Sequence, residues 1–355
     1  MRIIIVLAML AVSLSATLAS AEPYFAQREG YKCSRCHVNR TGGGKRTSFG
    51  YAYGLTHLAT FEGATPLVDP SLGDSLSIGA NFRVNHTTVF AEKLLNTFNN
   101  TEGNLYLQAA VSPRVQMYVD LSVAQGNIEG REAMVILDGQ SGWHIKAGYF
   151  LQPFGLRLWG DSIYTREMTG STFSSPDLGL EVGWEGTEIS TFLAVSNGAG
   201  GGVDNNGAKR VSLLTEWASE SFRAGISMST NALEKRTTMM GSTYLGATVG
   251  RLVWLADLCL LEERFAEGGD RIRALIGYTE VNLLLLEGLS GKLSYQYHDP
   301  ATDVVQDQRI ASSLGFQWFV TPLVATSLFY QLRKSVPQDE IGNTDLLTAE
   351  LHLFF

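Results

Sequence analysis

Apolar and polar side chains alternate along the segment Leu76-Ser77-Ile78-Gly79-Ala80-Asn81-Phe82-Arg83-Val84-Asn85. Successive side chains of a β-strand point to opposite faces, so this period of two predicts a strand with one apolar and one polar face. The same alternation recurs at 115–123 and 189–195, and about sixteen such segments lie between residue 74 and the C terminus. Strands that are apolar outside and polar inside are typical of outer-membrane barrels. We therefore predict an all-β fold, a transmembrane antiparallel β-barrel of about sixteen strands within residues 71–355.

The connections between these segments alternate in length, which supports the barrel. The short ones are Ser112-Pro113-Arg114, Asp138 to Gly142, Glu185-Gly186, Ser219-Glu220-Ser221, Gly250-Arg251 and Thr321-Pro322. The longer ones are 87–103, 125–131, 150–176, 196–209, 230–237, 262–271, 299–308 and 335–343. Short turns on the periplasmic side and long outer loops are usual in such barrels, and an even strand number places both ends of the barrel in the periplasm. A soluble β-sandwich is the alternative, but no second core-facing set of strands appears.

Loop 150–176 is unusually apolar and aromatic for a loop in water. We expect it either to fold into the lumen, as a constriction or a cover for the site described below, or to pack on the outer rim.

The start of the chain indicates export. Met1-Arg2 is positive, residues 3–18 are largely apolar and Ala19-Ser20-Ala21 offers a cleavage site, so residues 1–21 are predicted to be a signal peptide. No later apolar run is long enough for a transmembrane helix, so insertion would have to use strands. The last strand ends on Phe355, as in the recognition signal of the outer-membrane insertion machinery. We expect a location in the outer membrane of a Gram-negative-type bacterium, in contact with its lipid.

The segment Cys33-Ser34-Arg35-Cys36-His37 is typical of covalent attachment of c-type haem. Cys33 and Cys36 match the two vinyl groups of one macrocycle, and His37 is the predicted proximal axial ligand. A redox dithiol, a zinc site and a small structural disulfide are the alternatives. The first lacks a βαβ setting and the second lacks another ligand pair. The remaining cysteine, Cys259, is expected to be an inert buried thiol.

The residue that would be the sixth ligand of a haem at this motif is not identified by the motif itself. His57 follows the motif closely and is our candidate distal ligand and second metal-binding residue. His352 in the last strand is a second candidate, and Met117 would have to be recruited from the barrel for His–Met ligation. A water-occupied position remains an alternative.

Residues 22–70 are predicted to form a monohaem cytochrome c segment that acts as a plug, at the periplasmic side or inside the barrel. Its aromatic residues are expected to shield the haem, and the three glycines 42–44 permit tight turns. Six basic residues are expected to face the haem propionates, an acidic partner or solvent. They are Arg28, Lys32, Arg35, Arg40, Lys45 and Arg46.

Together, the segment Pro23-Tyr24-Phe25-Ala26, the Cys33–Cys36–His37 motif, Phe49-Gly50 and the barrel pattern resemble a known family. The chain is similar to the fused outer-membrane monohaem cytochrome c–porins of iron-oxidising bacteria. The resemblance implies electron transfer between an extracellular donor or acceptor, ferrous iron among them, and periplasmic carriers such as cytochromes.

Three functions remain open from the sequence. They are electron transfer through one covalent haem c, a diffusion porin whose haem segment is a structural or gating plug, and a haem-based sensor. The sequence shows no nucleophile triad, phosphate loop or metalloprotease helix, so an enzymatic role beyond an iron(II) oxidase-like one is not expected. No nucleic-acid partner is expected for this chain of 355 residues and net charge −8.

Overall fold

The computed structural model describes residues 22–61, 68–92, 94–124, 128–158, 160–204, 206–267, 269–339 and 342–355. The predicted signal peptide at 1–21 lies outside the described residues, and so do residues 62–67 of the predicted haem segment. No described helix is long and apolar enough to cross a membrane.

A closed antiparallel barrel of sixteen strands makes up most of the chain. Each strand pairs with the next along the chain, and β1 pairs with β16 to close the barrel. The prediction of about sixteen antiparallel strands is confirmed. The strands are β1 Leu76–Phe90, β2 Leu95–Ser112, β3 Val115–Ser122, β4 Glu129–Asp138, β5 Trp143–Phe150, β6 Asp177–Glu185, β7 Ile189–Ser196, β8 Arg210–Ala218, β9 Phe222–Ala232, β10 Arg236–Val249, β11 Leu252–Phe265, β12 Arg271–Leu286, β13 Leu289–Asp299, β14 Arg309–Thr321, β15 Val324–Lys334 and β16 Asp345–Phe354.

The alternation of side chains decides which face of each strand lines the lumen. In β1, Phe82 is 41% exposed on the outer surface whereas the neighbouring Arg83 is 1% exposed inside. In β7, Leu193 lies outside and the flanking Phe192 and Ala194 are buried inside. The period of two therefore gives the barrel an apolar outer surface and a mostly polar interior.

The lengths of several long connections were predicted wrongly. Strand β1 ends only at Phe90, and β2 already begins at Leu95. Most of the predicted loop 87–103 is therefore paired strand. Similarly, β9 and β10 leave only 233–235 of the predicted loop 230–237 unpaired. Many side chains in these parts are polar on both faces, so the alternation fades while the ladder hydrogen bonds continue. A turn at residues 287–288 was also missed.

The N-terminal segment contains three helices that lie against the inside of the barrel at the end with the short turns. They are α1 Pro23–Arg28, α2 Cys33–Cys36 and α3 Ser48–His57. Lys32 Nζ donates to the carbonyl of Gly186 at 2.7 Å, and Thr60 N donates to Phe319 O at 3.0 Å. The Tyr24 hydroxyl donates to Gln317 at 2.9 Å. These contacts join the segment to widely separated strands.

The loop between β5 and β6, residues 151–176, folds inward and contains the short helix α4 Tyr164–Glu167. Its apolar residues are nearly all inaccessible to solvent: Leu151, Phe154, Leu156, Leu158, Ile163 and Phe173. Gly155 N donates to Ser227 Oγ at 2.9 Å, and Tyr164 N donates to Gln296 Oε1 at 2.9 Å. Of the two arrangements predicted for this loop, folding into the lumen is confirmed.

Candidate functional site

The Cys33–Cys36 helix brings the whole motif to one cavity. His37 N donates to Cys33 O at 3.0 Å, which closes the short turn and directs the next residue out of it. Cys33, Cys36 and His37 all line a cavity of about 1100 Å³, counted with its open mouth. Both thiols are free.

The triple glycine holds the chain after His37 in a tight turn. The backbone φ angles of Gly42, Gly43 and Gly44 are +96°, +81° and +67°, which residues other than glycine rarely adopt. A Cβ at Gly43 would lie 2.5 Å from the Phe173 ring, so a larger residue would strike loop 151–176. Val38 N then donates to Lys45 O at 3.0 Å, which closes the hairpin. The prediction that these glycines permit a tight turn is confirmed.

Burial keeps the reactive groups of the motif neutral. Burial, followed by the charge of Arg46, lowers the pKa of His37 to about 4, although hydrogen bonds with the backbone of Gly44 and Gly43 oppose the shift. Burial also raises the pKa of the Cys33 thiol to about 11, although the nearby Arg223 favours the thiolate. His37 is thus a neutral imidazole at neutral pH, the form that coordinates metals.

The walls of the cavity suit a flat, largely apolar group that carries acidic substituents. Its apolar and aromatic lining includes Phe25, Tyr53, Leu58, Leu156, Phe319 and Phe354. Arg46 also lines the cavity and stacks over the Phe354 ring at 4.4 Å, while burial lowers its pKa to about 10. A covalently held haem would find two thiols, one imidazole and a guanidinium for a propionate here. The residues present therefore fit a single haem c, whose attachment stays a prediction.

The distal candidates are placed differently from each other. His57 is exposed, does not line the cavity and stacks on Tyr53 with ring centroids 5.4 Å apart. His57 as distal ligand stays a prediction that this geometry does not favour. His352 does line the cavity, with Nε2 at 2.6 Å from Asn81 Oδ1 and Nδ1 at 2.9 Å from Arg83. Met117 is 49% exposed on the outer face of β3.

The six basic residues do not form one patch. Arg40 binds Asp138 and lies 2.6 Å from Glu185 on the barrel wall. Lys45 Nζ donates to Gln108 at 3.2 Å. Arg28 pairs with Glu29, and Arg35 stacks on Phe49. Lys32 donates to backbone carbonyls of the barrel, and Arg46 faces the cavity. Most of them therefore fasten the segment to itself or to the barrel.

Sequence reasoning missed the residues of the barrel that receive this segment. Glu132 accepts from Asn39 Nδ2 at 2.7 Å, and the Tyr118 hydroxyl accepts from Lys45 N at 3.1 Å. Arg223 donates to the Tyr31 carbonyl and lies 4.0 Å from Cys33 Sγ. Their only signal in the sequence is an inward strand position occupied by a large polar side chain.

The histidines outside the motif and its distal candidates do not form a metal centre. His86 packs on Phe98, His144 lies 3.5 Å from Glu181, and His298 packs near Tyr164. Within the described parts of the chain, no group of three or more His, Cys, Asp and Glu side chains is arranged to hold a metal ion.

The closed barrel of sixteen antiparallel strands has the fold of solved outer-membrane proteins. OmpT of Vibrio cholerae matches with a TM-score of 0.63 at 9% identity, over 81% of this chain and 100% of that one. An anion-selective porin from Comamonas acidovorans matches with 0.59 at 11%, over 79% and 99%. The outer membrane channel DcaP of Acinetobacter baumannii matches with 0.55 at 12%, over 81% and 99%. No protein-family model and no curated protein matches the chain.

Proposed function

We propose that this protein is an outer-membrane electron-transfer protein that holds one covalent haem c inside a porin-like barrel. One observation carries the proposal: Cys33, Cys36 and His37 line a single cavity that strands of the barrel help to bound. An attachment motif on an exposed tail would need no such enclosure. Here residues of the first and last strands, Ala80 and His352, complete the cavity.

The location follows from the outer surface of the barrel. Outward side chains such as Leu180, Leu258 and Leu314 are more than half exposed, which is expected for a surface in contact with lipid. The similarity to outer-membrane porins supports this location. The N-terminal segment would then face the periplasm, because it lies at the end with the short turns.

The chain itself provides attachment, orientation and exclusion of water. Cys33 and Cys36 would each hold a haem through a thioether to one of its vinyl groups. A bound haem supplies a one-electron Fe(III)/Fe(II) couple. His37 offers a neutral ring nitrogen to the iron, and Arg46 offers a cation to a carboxylate. Phe319 and Phe354 keep water from the apolar edge of the cavity.

Both partners must come close to the haem, because a hydrocarbon core of about 30 Å separates the two sides of the membrane. A periplasmic carrier would dock on the short-turn face. An extracellular donor or acceptor, ferrous iron among them, would enter a second cavity that Asn85, Ser162 and Gln331 help to line. These features agree with membership of the cytochrome–porin family, which we propose with the function.

A diffusion porin with a structural haem segment is the second candidate. The polar second cavity and the porin fold favour it. The two functions differ in conductance: an open pore passes small solutes through a planar bilayer, whereas a conduit closed by the N-terminal segment and loop 151–176 stays silent.

Two experiments test the proposal. First, replacing both Cys33 and Cys36 by Ser should abolish covalent haem staining while the barrel still inserts, and Cys259→Ser should leave staining unchanged because Cys259 is buried in β11. Unchanged staining in the double variant would refute attachment. Second, ferrous iron or a membrane-impermeant oxidant is added to intact cells. Rapid change of the haem bands supports the conduit, whereas a change only after lysis supports the porin.

A further inference from the structure

Three guanidinium groups surround the ring of Phe173 in the inward loop. The distances from guanidinium carbon to ring centroid are 5.3 Å for Arg131, 5.7 Å for Arg157 and 5.0 Å for Arg166. Arg131 comes from β4, whereas the other two belong to loop 151–176 itself. Like charges brought together in this way require counter-charges close by.

Among the described residues, one of the three arginines forms ion pairs with carboxylates. Arg131 lies 2.8 Å from Glu102 and 3.7 Å from Asp120. Arg157 donates instead to Thr41 Oγ1 at 3.1 Å and to the Gln152 carbonyl at 3.2 Å. These acceptors, a hydroxyl and a backbone carbonyl, are uncharged. Arg157 is therefore hydrogen-bonded but forms no ion pair through these contacts.

Arg166 is the exceptional member. The side chain is 1% exposed, and Nε, Nη1 and Nη2 are all buried without a hydrogen-bond partner among the described residues. A guanidinium does not deprotonate in proteins, and a buried charge without a partner is strongly unfavourable. Burial and the charge of Arg157 lower the pKa of Arg166 to about 9, so the guanidinium stays protonated at neutral pH and still requires acceptors.

The carboxylates near this cluster are already used by other donors. Asp161 accepts from Phe173 N at 2.7 Å and from Ser174 Oγ at 3.0 Å. Asp257 accepts from Ser242 Oγ at 2.5 Å and from Leu156 N at 3.3 Å. Both carboxylates are close enough to act on the charge of Arg166, but neither forms an ion pair with it within the described parts of the chain. The three Arg166 nitrogens therefore still lack a hydrogen-bond acceptor.

We propose that Arg166 and Arg157 bind a small inorganic anion of halide size, enclosed between loop 151–176 and the N-terminal segment. The Gln152 side-chain amide is also buried without a partner and is available as a further donor. The sealed position of the Arg166 nitrogens favours a halide over a bulky oxyanion. Since Arg157 also donates to Thr41, the bound anion fastens the loop to the N-terminal segment. This inference does not depend on haem attachment.

Anion-dependent stability tests the site in the full-length protein in detergent. Sodium chloride is exchanged for sodium gluconate at constant ionic strength, and thermal unfolding is followed by circular dichroism. Above the dissociation constant, each tenfold increase in chloride should raise the ratio of folded to unfolded protein about tenfold. Arg166→Gln should lose this dependence. Arg236→Gln should keep it, because Arg236 is 45% exposed in a pair with Glu263 near the outer loops.

Anomalous scattering from wild-type crystals grown in bromide gives a second measurement that no variant's folding can obscure. A bromide peak in contact with the Arg166 guanidinium supports the site. The absence of a peak, or density for water alone, would overturn it. Equal chloride dependence in the wild type and Arg166→Gln would also overturn it, and stabilisation by phosphate but not by halides would refute the proposed size of the anion.

Discussion

Gly43→Ala should test the packing of the motif against the inward loop. Gly43 has a φ of +81°, and a Cβ there would lie 2.5 Å from Cε1 of Phe173. Phe173 is 2% exposed beneath three guanidinium groups, so the ring has little freedom to move away. Two costs therefore add: about 1–2 kcal/mol for a left-handed backbone with a side chain, and about 1–3 kcal/mol for overpacking.

Gly73→Ala is the matched control for the backbone cost. Gly73 has a φ of +79°, and nothing lies within 4 Å of a Cβ built there. The two variants share the strain of the left-handed backbone and the gain from a less flexible unfolded chain. Their difference in the free energy of unfolding isolates the contact with Phe173, and we expect about 1–3 kcal/mol.

Guanidinium unfolding in detergent, followed by tryptophan fluorescence, measures this difference. Combining Gly43→Ala with Phe173→Leu should restore part of the lost stability, because the smaller side chain leaves space for the Cβ. If Gly43→Ala and Gly73→Ala destabilise the protein equally, the close contact between the glycine turn and the loop does not exist in solution.

Three further predictions follow from the site. From the geometry we expect His57→Ala to leave the haem spectrum unchanged and His352→Ala to shift it, and the opposite result would restore His57 as the distal ligand. Burial lowers the pKa of Lys45 to about 8 from the unfolded value near 10.5, so the unfolded chain binds more protons between these values and stability should rise from pH 8 to 10. Denaturant unfolding of Lys45→Met should show a weaker rise, and an equal rise would contradict this assignment. Arg40→Gln should cost about 1 kcal/mol or somewhat more, because both its ion pairs are partly exposed; unchanged unfolding would show that Arg40 does not anchor the segment.

The barrel could be predicted because strand alternation is a local signal. The inward position of Arg83 and the outward position of Phe82 follow from their order in one strand. The length of the first hairpin could not be predicted in the same way. Its continuation to Phe90 and Leu95 depends on hydrogen bonds between backbones, which carry no trace in side-chain polarity.

In the candidate site, too, residues that are close in sequence could be predicted more directly than residues that the fold brings together. The spacing of Cys33, Cys36 and His37 is local, so the sequence pointed directly to these three residues. It offered His352 only as a second candidate, because His352 is more than 300 positions away along the chain and reaches the cavity only through closure of β1 on β16. His57 was favoured because it is near in sequence, but it lies at the exposed end of α3.

Closure of the barrel has a consequence for biogenesis. The cavity is lined at once by Pro23 at the start of the described chain and by Phe354 and Phe355 at its end. Arg46 stacks on Phe354, and Ala80 and Phe355 exchange backbone hydrogen bonds at the seam between the first and last strands. A chain whose seam is still open therefore has only half of a binding site. The complete cavity forms only after the final strand has paired with the first. A group held there would therefore stabilise the closed barrel and not a barrel whose seam is open.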